Sequence, residues 1–255
     1  MIRGTLTIYG RELAGLFLQP FVWVLLFVST LLLGWLFAGT YLPGANGDVH
    51  RATMIALGGD FWFWVLTLVL APLVTMRMIS EEARSGVLEY LLTAPVPDAS
   101  VVLGKLLAAT TFFVVLWGTC AVPALVATIG GVTPDWSQIL VAWLGTTLVC
   151  ALFCAVGLTA SAMSQTPVLA AFLAFLFALI LLVSRVALRL FDAIPDDVLP
   201  RSWIEFVVDK LDVVGRYQVS FRNGVLDSAH VLFFVVWIAC FVFFTVRLLE
   251  MRRWR

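Results

Sequence analysis

The chain has 255 residues, 62% of them hydrophobic and only 13% charged, and its 16 Lys and Arg balance 16 Asp and Glu for a formal net charge of zero. A mean hydropathy of +1.04 is more apolar surface than a soluble domain of this length hides in one core, which excludes a soluble enzyme or binding module. Neutral charge, a pI near 6.7 and the lack of a basic patch with interleaved aromatics exclude a nucleic-acid partner.

What remains is an all-α membrane protein forming one transmembrane domain over residues 1–255. Six segments reach the roughly 20 apolar residues that a ~30 Å hydrocarbon core requires. They cover residues 20–41, 61–79, 106–129, 139–163, 167–188 and 231–249.

In chain order, residues 1–17 place Ile2, Leu6, Tyr9, Leu13 and Leu16 on one helical face and Arg3, Thr7 and Arg11 on another, the pattern of an interfacial helix. Pro20 opens the first span, where its missing N–H costs little. That span is too long for a signal-peptide core and is expected to be retained. Gly34 and Ala38 give it a short stripe of small residues. The Gly-rich stretch 42–59 reads as an irregular outer connection. Trp62, Trp64 and Trp136 fall near the outer interface, as an aromatic belt would.

Between the second and third spans lies a compact charged insert, residues 79–100, carrying Glu81, Glu82, Arg84 and Glu89 and closed by Pro95 and Pro97. On charge alone it is equally a docking helix for a cytosolic partner or a solvated loop.

The fourth and fifth spans are separated only by Ser164, Gln165 and Thr166, which predicts a tight hairpin with Thr166 as N-cap and Pro167 at the first helical position. Residues 191–227 form the longest polar stretch. Within it Trp203, Val207, Leu211 and Val214 recur at helical spacing, which predicts an interfacial or re-entrant helix over 201–217.

An even number of spans puts both termini on one side. With the N-terminus inside, the inner cations are Arg3, Arg11, Arg77, Arg84, Lys105, Arg247, Arg252, Arg253 and Arg255. The outer ones are Arg51, Arg201, Lys210, Arg216 and Arg222, with Arg185 and Arg189 in or at the end of a span. The bias favours cytoplasmic termini.

Chemistry is sparse. A charge at mid-bilayer costs roughly 2.5–3.5 kcal/mol on insertion scales, and the spans carry no proton-relay or ion-site residues, which argues against an ion-coupled transporter. His50 and His230 are single residues near outer ends. Cys120, Cys150, Cys154 and Cys240 all fall within spans. Cys150 and Cys154 continue as Gly157 and Ser161, a small-residue stripe that favours helix packing over metal binding. No phosphate loop is present: Gly104 and Lys105 are adjacent but lack the preceding Gly and the following Ser or Thr. If ATP drives this chain, another subunit hydrolyses it.

The run Leu73, Val74, Thr75, Met76, Arg77, Glu81, Glu82, Arg84, Gly86, Leu88, Glu89, Leu91, Leu92, Thr93, Pro95, Val96, Asp98, closed by Gly104 and Lys105, resembles the signature of ABC type-2 permeases. It is most similar to the gliding-motility-associated permease family and more distantly to the nitrous-oxide-reductase maturation permease. A second matching stretch comprises Phe221, Arg222, Gly224, Val225 and Asp227, with Leu248, Leu249, Glu250, Arg252, Arg253 and Trp254 at the C-terminus.

The resemblance implies a permease of the bacterial inner (plasma) membrane, part of an ATP-driven exporter with two permeases, identical or homologous, and two ABC ATPase subunits. ATP and Mg would be bound by the ATPase, and no cofactor by this chain. The interfacial helix and the charged insert would contact the ATPase, with Glu81, Glu82, Arg84, Gly86 and Glu89 as the coupling element. Two alternatives stand beside this reading: a mechanotransmission subunit driving an extracytoplasmic accessory protein without moving substrate, and a membrane assembly scaffold.

Overall fold

A computed structural model describes residues 2–87, 97–191 and 210–253, and every regular element among them is helical. Among the described residues, six helices are long and apolar enough to cross a membrane. The N-terminal helix α1 (Ile2–Leu18) stops where Gln19, before a proline, is held extended at φ −79° and ψ 124°. Pro20 then opens α2 (Pro20–Leu36), the first span.

The connection that follows is more ordered than its glycines suggest. The Asp48 carboxylate accepts the His50 and Arg51 N–H groups at 2.9 and 3.3 Å, capping α3 (Val49–Met54). This helix buries Ala52, Thr53 and Met54 against the bundle, so its few apolar residues suffice to order it. The chain then unwinds through Gly58, at φ +117°, into the second span, α4 (Phe61–Thr75). Trp62 is exposed there, but Trp64 is buried and belongs to the core rather than to an aromatic belt.

The second span ends at Thr75 rather than at 79, and a turn leads to the six-residue α5 (Ser80–Ser85). The third span, expected from Leu106, begins eight residues earlier: α6 runs Asp98–Gly118, and a short turn joins it to α7 (Val122–Ile129). Its first turns lie against protein rather than lipid, which is why they need not be apolar.

The fourth span, α8 (Trp136–Met163), is the centre of the bundle and touches α4, α6, the fifth span α9 (Pro167–Phe191) and the sixth span α11 (Ser228–Arg253). Pro167 opens α9 directly after the short hairpin connection. Before α11, the Asp212 carboxylate accepts the Gly215 N–H at 2.7 Å and starts α10 (Val213–Val219). Of the helix expected over 201–217, residues 201–209, with Trp203 and Val207, lie outside the described residues.

The small-residue stripe on α8 packs as its composition suggests: Cys150, Cys154, Gly157 and Ser161 are all buried, and a Cβ on Gly157 would run into the Thr75 hydroxyl. Gly34 differs. A Cβ there would meet nothing within 4 Å, so no part of the described chain packs on the Gly34 face of the first span.

Candidate coupling site

At the end of the bundle that holds α1, α5 and the start of α6, three elements separated in sequence are tied by charge. Gly104 on α6 lets α1 approach closely: a Cβ there would sit 2.8 Å from Ile8 Cγ2 and 3.1 Å from the Tyr9 backbone nitrogen. From the same contact the Tyr9 side chain reaches along α6, and its Oη lies 3.1 Å from Oγ1 of Thr111, seven residues beyond Gly104.

The buried face of α1 is rotated from the one its strongest hydrophobes mark. Ile8 and Leu16 are buried while Leu6 is 58% exposed. The rotation carries Glu12 inward, four residues from each of the buried positions. An acidic side chain on the packed face of an amphipathic helix requires a cation.

Lys105, next to Gly104, is that cation. Its side chain is 0% exposed, and its Nζ lies 3.1 Å from Glu12 Oε1 and 2.9 Å from Glu82 Oε1. Arg11 pairs with the same two oxygens at 2.6 and 3.2 Å, but its side chain is 50% exposed. Two cations and two carboxylates thus alternate in a closed ring joining α1, α5 and α6. Hydrogen bonding to Glu12 holds the Arg11 guanidinium above its usual pKa. Removing one partner of a buried pair typically costs about 3–5 kcal/mol because the other charge stays desolvated, whereas the outer Arg11 contacts lose much of their value to water.

The turn into α5 is held from the other side. Ser161 Oγ on α8 accepts the backbone N–H of Ile79 at 3.2 Å and of Ser80 at 3.0 Å, while donating to the Met76 carbonyl at 3.0 Å. One hydroxyl therefore satisfies backbone groups left free where the second span stops. At its far end α5 closes on Gly86, whose φ of +75° is open to glycine at little cost.

The five residues read from the sequence divide by direction. Glu81 and Arg84 are exposed, with Ser85 beside them. Glu82 turns inward to the ring, and Gly86 is the helix stop. Glu89 lies outside the described residues. Glu12 and the pairing role of Lys105 were missed by sequence reasoning. The available signal was that Lys105 is the sole charged residue between Asp98 and Asp135. A cavity of about 210 Å³ beside the ring is lined in part by Glu12, Gln19, Arg77, Glu81 and Glu82.

At the opposite end of the bundle, aromatic packing replaces charge. Phe63 contacts Trp117 at 4.7 Å between ring centroids and stacks on Tyr217 of α10 at 5.9 Å. The Tyr217 hydroxyl donates to the Leu57 carbonyl and lies 3.2 Å from Thr146 Oγ1. Phe221, beside α10, fits the space left by Gly145.

This arrangement defines a polytopic helical membrane protein with a braced, partly polar helical platform at one end of the bundle and a compact aromatic seal at the other. The chain belongs to the ABC-2 family transporter proteins, whose family model matches residues 7–254. It is therefore a membrane permease of the ABC transporter class, a family that generally works with an ABC ATPase subunit and a partner permease. A search of the curated proteins found no match.

Proposed function

We propose that the chain is the permease of an ATP-driven exporter in a bacterial inner membrane, with both termini cytoplasmic. In this reading it pairs with a second permease, identical or homologous, and α5 receives the stroke of a separate ABC ATPase, present in two copies with its ATP and Mg. The observation that carries the reading is the division of α5. Glu81 and Arg84 face solvent as a polar ridge, while Glu82 and the Ser161 contacts fix the helix to the bundle. A ridge transmits a push only if it is both accessible and braced. Glu89, beyond the described residues, completes the proposed contact.

The test is co-purification of the ATPase with chains carrying Glu81→Ala, Arg84→Ala and the combined substitution with Glu89→Ala. Truncating an interfacial charge whose partner stays buried costs about 2–5 kcal/mol, so the combined variant is expected to lose the ATPase or its stimulated hydrolysis while remaining folded. Unchanged assembly and hydrolysis would make the insert a solvated loop.

A mechanical role, driving an extracytoplasmic partner without moving substrate, is the second reading. It is favoured by the packing of the bundle centre, where Phe112, Phe113 and Phe153 are fully buried. Nucleotide-dependent accumulation of substrate in vesicles separates the two.

A further inference from the structure

We infer that Lys105 is the positioning residue through which α5 drives the third span, and that α6 carries that displacement across the membrane to the outer helix α10. The inference rests on the reading of α5 as the ATPase contact and adds the route its displacement takes.

The covalent route from α5 leads into the second span, but the intervening turn bends at Met76–Ile79 and is pinned there to α8 by Ser161. A turn held in this way pivots rather than pushes. The ion-pair route is stiffer. Lys105 is fully buried, so displacement of Glu82 alone would leave its charge desolvated with Glu12 as the one remaining partner, and following the carboxylate avoids that cost. Arg11 touches the same oxygen but is half exposed, and there water substitutes for a broken contact. The buried member of the ring is therefore tight and the exposed member slack.

From Lys105 the helix continues unbroken to Gly118, and at ~1.5 Å per residue Trp117 stands about 18 Å further across the bilayer. Trp117 is fully buried against Phe63, which in turn stacks on Tyr217 of α10. Glu82, Lys105, Trp117, Phe63 and Tyr217 thus form a contiguous line from the coupling helix to the outer helix, with one rigid helix as its longest part. Displacement along this line is read as motion at its far end.

The experiment uses the full chain with its ATPase in lipid vesicles. Spin labels are placed at Val132 and Val219, both exposed at the outer end of the bundle, in a chain whose four cysteines are replaced. Their separation is measured without nucleotide and with ATP trapped by vanadate. Lys105→Met, which keeps length and removes charge, is expected to bind the ATPase as the parent does. It should abolish the nucleotide-driven change in separation and return hydrolysis to the level of the ATPase alone. Lys105→Arg should restore both. Glu82→Gln, which removes only the α5 half of the pairing, should reproduce the loss even if the lysine variant folds poorly.

Retention of the full distance change in folded Lys105→Met or Glu82→Gln, with ATPase bound, would overturn the inference. Loss of ATPase binding in both variants would assign the ring to docking and overturn it equally. Failure of the parent chain to bind an ATPase would instead sink the reading of Glu81 and Arg84.

Discussion

The hydroxyl oxygen of Ser161, on the central span, accepts the backbone N–H of Ser80 at 3.0 Å, so the first residue of α5 is fixed by a side chain 81 residues away. The platform is thus held by tertiary contacts rather than by its own six residues, too few for a helix to persist alone.

Ser161→Ala is expected to strand the Ile79 and Ser80 N–H groups in a buried turn, at a cost of about 1–3 kcal/mol. Hydrogen exchange should show faster amide exchange through 79–85 with α8 still protected. Equal protection in parent and variant would mean that the turn does not need this bond.

Gly104→Ala should push α1 off α6, because the new methyl meets both Ile8 and the Tyr9 backbone. Overpacking of this kind costs about 1–3 kcal/mol. Separation of α1 should also pull Glu12 from Lys105, so limited proteolysis near Arg11 should accelerate. An unchanged cleavage rate together with an unchanged melting temperature would contradict the close packing.

At the other end, Tyr217→Phe removes the hydroxyl bonds to Leu57 and Thr146 but keeps the ring stack, and is expected to cost about 1 kcal/mol. Gly58→Ala should cost more. Its backbone sits at φ +117°, and the added methyl would overlap the Tyr217 ring. Thermal melts of the two variants in detergent test the order, and a milder effect for Gly58→Ala would refute the geometry.

Topology is checked with single cysteines at Ser85 and Val132, both exposed and at opposite ends of the bundle, in a chain lacking the native four. Membrane-impermeant maleimide applied from outside intact cells should label Val132→Cys and leave Ser85→Cys unmodified until the membrane is opened. The reverse pattern would invert the proposed orientation and place α5 out of reach of a cytosolic ATPase.

The class of protein and the number of spans are legible in the residues alone. Long apolar runs have one stable environment, and helices satisfy their own backbone there. The α8 stripe was legible for the same reason, since small residues at helical spacing permit close approach wherever the partner helix lies. So was the short connection before Pro167.

How the charges at the α5 end of the bundle are used depends on contacts between distant segments. Glu82 and Glu81 are neighbours of one type, yet one is drawn half-buried into a ring and the other faces water, because Lys105 and Glu12 arrive from distant segments. The rotation of α1 likewise depends on Gly104, which admits Ile8 and leaves Leu6 outside. Local periodicity marks which faces are apolar, but it does not contain the neighbour that a face meets. The start of the third span was misplaced for that reason: a lysine ends an apolar run in sequence, but a lysine neutralised by two carboxylates continues a helix into the bundle.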